Sequence, residues 1–173
     1  SVAIFMLDVR THRTPWPENL KTFSTEGDDL QGDFLGEEQW QWFEEAIGRS
    51  TASVNIVVQG LQALADKWFD GNLAEEWSRF PRAQHRLIQT VLQPHIQAPI
   101  LVSGDVHMAE ILRRDCRRNG ESRFLNEVTT SGLTHSWGTE VCARPKEMKQ
   151  LCTSPYFKKF VSWAGHFGHH TGA

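Results

Sequence analysis

The chain is short of cysteine, of basic charge and of long apolar runs, and each shortage removes a class of protein. Three cysteines in 173 residues cannot build a disulfide scaffold. Cys142 and Cys152 are spaced to close one loop staple, which would leave Cys116 unpaired and favour an oxidising compartment; ordinary free thiols are an equal reading. No apolar run approaches the ~18–20 residues of a membrane span, and no charged-then-apolar leader opens the chain. The missing leader carries little weight, because Ser1 to Phe5 already reads as strand. A strand with no turn ahead of it predicts a piece of a longer polypeptide, or one product of its cleavage.

A formal charge of -3 and a pI of about 6.2 supply no basic footprint, so nucleic acid is not an expected partner. Arg113, Arg114, Arg117 and Arg118 cluster, yet Asp115 interrupts them and Asn119-Gly120 follows, so they read as the solvated arms of a hairpin. With 39% hydrophobic and 23% charged residues, the length suits one globular domain with a sizeable core.

Several elements are legible. Val2 to Leu7 is a continuous apolar run of strand length, expected to be central and buried on both faces. Asp8, Arg10 and Arg13 follow it, where open α/β sheets place ligands; either arginine could grip a phosphate oxygen or pin Asp8 in a salt bridge. Residues 14–34, with Pro15, Pro17, Gly27 and Gly32, have loop composition, and Asp28, Asp29 and Asp33 read as solvated turn carboxylates. Trp40, Phe43 and Ile47 recur at helical spacing between Gly36 and Gly48, with Glu37 and Glu38 suited to the positive amino end and the tryptophans expected to pack. Ser53 to Val58 is the next strand. Pro81 can open a helix running to Leu92, and Ala109–Leu112 and Phe124–Thr130 read as hairpin strands.

The chain is organised around Pro99-Ile-Leu-Val-Ser103-Gly-Asp105-Val-His107. An apolar run too short for a helix stops at Ser103-Gly104, and a carboxylate and an imidazole follow two apart. In extended backbone that spacing sets both side chains on one side, and Gly104 leaves room for close backbone approach. The pair suits zinc, manganese, iron or, through the carboxylate, calcium. Gln62, closing the strand that ends at Val58, could offer an amide oxygen to a hard cation or an NH₂ to phosphate. His166, His169 and His170 lie in a glycine setting without fixed geometry and read as coil.

These pieces, in order, resemble the PhoD-like (alkaline phosphatase D) family of metallophosphoesterases. They are Phe5-Met-Leu-Asp8-Val-Arg10-Thr-His-Arg13, Leu35-Gly-Glu-Glu-Gln39-Trp40-Gln-Trp42-Phe43, Gly60-Leu-Gln62, Trp77-Ser-Arg-Phe80-Pro81, Ser103-Gly-Asp105-Val-His107-Met-Ala-Glu110, and Glu127-Val-Thr-Thr-Ser131-Gly-Leu-Thr-His135-Ser-Trp137. The resemblance runs from Phe5 to Trp137, and more faintly through His166-Phe-Gly168. It implies an α/β fold, half of a metallophosphatase-type αββα sandwich with mixed sheets. Residues 1–140 would be the carboxy-terminal part of that domain and 141–173 its irregular or helical extension.

The activity implied is metal-dependent hydrolysis of phosphate esters, as a phosphatase or phosphodiesterase. Two or more ions of calcium, iron, manganese or zinc would serve it, with Asp105 and His107 as ligands, Arg10 and His135 meeting phosphate charge, and Asp8 and Gln62 in supporting or phosphate-binding places. A non-cytosolic location is implied as well. The family's earlier ligand motifs are not in this sequence, and its usual metal-binding histidine is replaced around Gln62. Two ligands are fewer than the three a catalytic metal usually takes from protein, so the expected partners are a phosphate-ester substrate and a missing amino-terminal half of the same protein. Alone, the chain should bind metal weakly and turn over little. The alternative is a degenerate scaffold that keeps the fold without catalysis.

Overall fold

The computed structural model describes residues 1–15, 32–65, 75–107, 109–118, 121–131 and 171–172. Among them the order is β1 (Val2–Met6), α1 (Gly36–Gly48), β2 (Val54–Val58), a 3₁₀ turn (Trp77–Arg79), α2 (Pro81–Val91), β3 (Pro99–Ser103), β4 (Ala109–Arg118), β5 (Glu121–Thr130) and β6 (Thr171–Gly172). The strands form one mixed sheet in the order β1-β2-β3-β5-β4-β6. β1, β2, β3 and β5 run parallel, β4 is antiparallel to β5, and β6 is parallel to β4. No helix among the described residues is long and apolar enough to cross a membrane.

The two helices follow from their sequences as expected. Trp40, Phe43 and Ile47 are the buried stripe of α1, and Pro81 opens α2 at a position whose N–H has no intrahelical partner. Asp33 is not a solvated turn carboxylate: it is half-buried, and its oxygens accept the Gly36 N–H at 2.7 Å and the Trp40 indole N–H at 2.8 Å. Beside it, Thr14 and Asp33, nineteen positions apart, exchange hydrogen bonds of 2.8 and 2.9 Å. Arg86 on α2 clamps the helices together. It donates to both Glu37 (2.9 and 3.2 Å) and Glu44 (2.7 and 3.0 Å) of α1, and its guanidinium lies 4.6 Å from the Trp40 ring centroid.

Both helices cover one face of the sheet. Phe5, Val57, Leu101 and Leu125 on that face join Trp40, Phe43, Leu87 and Val91 in a single core, with Phe5 and Phe43 edge to face at 6.0 Å. Among the described residues the opposite face is largely apolar and uncovered. Val2, Ile4 and Met6 are 61, 62 and 72% exposed, in register with Val54, Ile56 and Val58, and Ile111, Phe124 and Val128 continue the exposed surface. β1 therefore differs from expectation. It lies at the edge of the sheet with one face buried, because an unbroken apolar run records two apolar faces but not what covers each. Trp42 differs too: it is 49% exposed, one position off the stripe that buries Trp40 and Phe43. The hairpin strands run further than expected, from Ala109 to Arg118 and from Glu121 to Thr130, with Arg118 opposite Glu121 and the expected turn outside the described residues. Arg113 and Arg114 are half-buried rather than solvated, and Arg113 stacks 3.5 Å from the Phe124 ring centroid.

Candidate active site at the carboxyl edge of the sheet

Parallel β1, β2, β3 and β5 end on one edge, at Met6, Val58, Ser103 and Thr130, and the segments that follow them meet there. A Cβ added to Gly60 would come within 3.3 Å of Val9. One added to Gly104 would lie 3.9 Å from the Gly60 carbonyl, the Thr130 carbonyl and the Ser131 hydroxyl, which is ordinary contact. Gly104 thus marks the point where three strand ends converge, although packing does not demand a glycine there.

Asp105 and His107 follow at once, and both are exposed. They are not in extended backbone, as the two-residue spacing suggested. Both have left-handed φ, 71° and 56°, in a tight bend in which the Val106 N–H donates to the Gly104 carbonyl at 2.9 Å. The strand stops at Ser103, so its side-chain alternation does not reach them. The His107 N–H donates to the Ser131 hydroxyl at 3.1 Å, tying the bend to the end of β5. Left-handed φ at two side-chain-bearing residues is an uncommon conformation of the sort that gathers at functional sites.

Arg10, on the loop after β1, reaches Asp105 Oδ1 with Nη2 at 3.3 Å and also pairs with Glu75. Arg13 Nη1 approaches the same Glu75 at 2.9 Å. Neither guanidinium is paired with Asp8. That carboxylate turns back on its own loop: Oδ1 accepts the N–H groups of Arg10 (2.8 Å) and Thr11 (2.9 Å), and Oδ2 accepts the Thr11 hydroxyl. The Thr11 hydroxyl and these backbone donors hold its carboxyl down to about 2, although it is exposed. The Gln39 amide of α1 brackets the Asp8 backbone, accepting from its N–H and donating to its carbonyl, each at 2.8 Å. Asp8 and Gln39 therefore shape the loop that aims Arg10.

Beneath this edge lies a buried polar network. Gln62, 1% exposed, donates its amide hydrogens to Glu110 Oε2 (2.8 Å) and Thr129 Oγ1 (3.0 Å), and Thr129 shares a 2.9 Å bond with Ser103. Glu127, fully buried, accepts from the Ala63 and Leu64 N–H groups at 2.8 and 2.7 Å and from Gln59 Nε2 at 3.4 Å, while Gln59 accepts the Trp77 indole N–H. Burial pushes the Glu127 carboxyl up to about 6, against the pull of those backbone donors and of Ser103. Reading the sequence alone left Glu127 and Gln59 without roles. The signal for Glu127 was a carboxylate on the inward register of β5, between Leu125 and Thr129.

Asp8, Arg10, Gln62, Asp105 and His107 thus share one edge, and Arg10 meets Asp105 directly. The Gln62 amide hydrogens are engaged with protein rather than held out for a ligand. His135 lies outside the described residues, as do Cys142, Cys152, Asp28, Asp29 and the histidines from His166 to His170. Among the described residues no group of three or more His, Cys, Asp and Glu is placed to hold a metal ion. Cys116 is free and half-buried, with its thiol pushed up by burial.

The donor types at this edge, a carboxylate that already draws a guanidinium cation and a neighbouring imidazole, fit part of a hard-to-borderline metal site. The PhoD-like phosphatase family model matches residues 1–167. The chain belongs to the PhoD-like phosphatase family. Alkaline phosphatase D of Bacillus subtilis (strain 168) is 27% identical over 171 residues, covering 93% of this chain and 29% of that protein. The solved structure of PhoD shares its fold at 20% identity with a TM-score of 0.60, over 77% of this chain and 27% of that one. The chain therefore spans less than a third of the length of the PhoD proteins it matches, and its likeness to them is a likeness over that part.

Proposed function

We propose that the protein to which this chain belongs hydrolyses phosphate esters with the help of bound metal ions. The observation that carries the reading is the meeting of Arg10 with Asp105, beside His107, at the carboxyl edge of a parallel sheet in a chain of a phosphatase family. Asp105 and His107 would hold one cation, completed by donors outside the described residues. The chemistry a metal supplies there is neutralisation of phosphoryl charge and a water whose pKa falls from about 15.7 toward about 7. Arg10 would meet a phosphoryl oxygen, and His135 would add a second donor. Calcium, iron, manganese and zinc all fit this donor set, and both mono- and diesters remain substrates to be assayed.

The sheet's open apolar face supports a further part of the proposal. It is the surface on which the rest of an αββα sandwich would pack, so the isolated 173 residues are expected to turn over little or nothing. Location outside the cytosol follows from the family resemblance and belongs to the same proposal.

The test compares the full-length protein with its Asp105→Asn and His107→Ala variants, measuring metal content and turnover of p-nitrophenyl phosphate and bis(p-nitrophenyl) phosphate. Both variants should lose metal, and turnover should fall by about 100-fold or more. Equal metal content in all three proteins would sink the ligand assignment and favour the scaffold reading. That second reading has one observation behind it: Arg10 already compensates the charge of Asp105.

A further inference from the structure

The segment after β2 is the least expected part of the site's support. Leu61, Gln62, Ala63, Leu64 and Ala65 are all buried, yet they belong to neither strand nor helix. A buried loop must find partners for its backbone groups away from any ladder. Here the Gln62 carbonyl accepts from the Trp77 N–H at 2.9 Å, and the Ala63 carbonyl accepts from Gln84 Nε2 at 2.7 Å. The two successive N–H groups of Ala63 and Leu64 go to one carboxylate, a different oxygen each.

We propose that Glu127 is the positioning residue of this site, fixing the loop after β2 through the Ala63 and Leu64 N–H groups and thereby setting Gln62 against Glu110 and Thr129. The geometry calls for an acceptor on each of two oxygens. A carboxylate accepts on both oxygens, whereas a carboxamide of the same shape accepts on one and turns its NH₂ toward an N–H. Gln59, the residue after β2, also donates to Glu127 at 3.4 Å, and Ser103, which ends β3, bonds Thr129 two positions further along β5, so this stretch of β5 gathers the end of β3 and the segment after β2. Gly104 and Asp105 follow Ser103 directly, and the Gly60 carbonyl faces Gly104, so displacement of the loop reaches the metal-ligand bend without Glu127 touching a ligand.

The experiment uses the full-length protein and its Glu127→Gln and Glu127→Asp variants. Hydrogen exchange of the peptide spanning residues 59–65 is followed by mass spectrometry beside that of residues 99–103, together with metal content, kcat and KM on p-nitrophenyl phosphate. The activity readout rests on the hydrolase reading, and the exchange readout does not. In Glu127→Gln, exchange in 59–65 should accelerate about tenfold with 99–103 unchanged, and kcat should fall about tenfold at near-constant KM and metal content. Glu127→Asp, which keeps the charge but draws it back by one methylene, should fall between the two.

Wild-type exchange in folded Glu127→Gln would overturn the proposal, as would accelerated exchange with unaltered kcat in an active enzyme. If Glu127→Gln does not fold, Glu127→Asp decides, and wild-type exchange in that variant overturns it. If the wild-type protein turns over no phosphate ester, the hydrolase reading falls while the exchange comparison still decides whether Glu127 holds the loop.

Discussion

The two faces of the sheet are built from similar residues and meet different surroundings. On the helix side, Phe5, Val57, Leu101 and Leu125 are 0–8% exposed; on the other, Val2, Ile4 and Met6 of the same β1 are above 60%. Scattered apolar exposure is ordinary, but the cross-strand row Met6, Val58, Val102, Val128 and Ile111 is contiguous. The lesson is that the strand pattern is written for two covered faces, and the described residues cover one.

The largest expected effect tests that contrast directly. Leu101→Ala, at a fully buried position of a central strand, should lower unfolding free energy by about 2–5 kcal/mol, whereas Ile4→Ala in the isolated chain should change it by less than about 0.5 kcal/mol. Denaturant titration of both variants, in the isolated chain and in the full-length protein, sharpens the comparison. If the rest of the protein covers the open face, Ile4→Ala there should cost about 1–3 kcal/mol. An unchanged small effect in the full-length protein would break the two-covered-faces reading.

The next prediction concerns charge buried on the covered face. The Glu127 carboxyl rises from 4.5 to about 6 on folding, worth about 2 kcal/mol of preference for the protonated form. Its contribution to stability is present below about pH 4.5 and is lost as pH rises through about 6. Asp8, exposed and held down to about 2, has the opposite sign: its contribution is present above pH 3.8 and lost as pH falls through 2. Denaturation midpoints between pH 4 and 7 should therefore rise toward the acid side in wild type relative to Glu127→Gln, and a flat difference would refute the buried-carboxylate account.

Smaller effects follow at the two surfaces. Arg86→Ala removes a four-bond clamp between α1 and α2 and should destabilise by about 1–2 kcal/mol, with a salt dependence that a purely steric role would not produce. Arg113→Ala should cost about 0.5–1 kcal/mol through loss of its stack on Phe124, where a long cation partly shields the exposed face.

Much of this architecture was legible before the structure. The stripe of Trp40, Phe43 and Ile47, the Pro81 helix start and the strand ending at Ser103 are local patterns, set by periodicity and by residues that start or stop an element. What was misread depended on distant neighbours. The Asp8 carboxylate pairs with its own loop while Arg10 reaches a residue 95 positions away, and no spacing rule predicts that choice. The extended backbone expected at Asp105 and His107 gives way to a left-handed bend, because the strand stops at Ser103. Gln59 and Glu127 were unread because a buried carboxylate announces itself only when its donors, more than sixty residues upstream, are folded against it.

Arg123 shows where such distant ties lead. The last turn of α2 contains no basic residue, and Arg123 of β5 reaches the carbonyls of Leu92, Gln93 and Ile96 at 2.7, 2.9 and 3.2 Å. The helix thus borrows its terminal cation from a strand made some thirty residues later. During synthesis α2 would emerge with a frayed end and finish only when β5 docks, so shortening the chain before β5 should unwind a helix that the cut never touches.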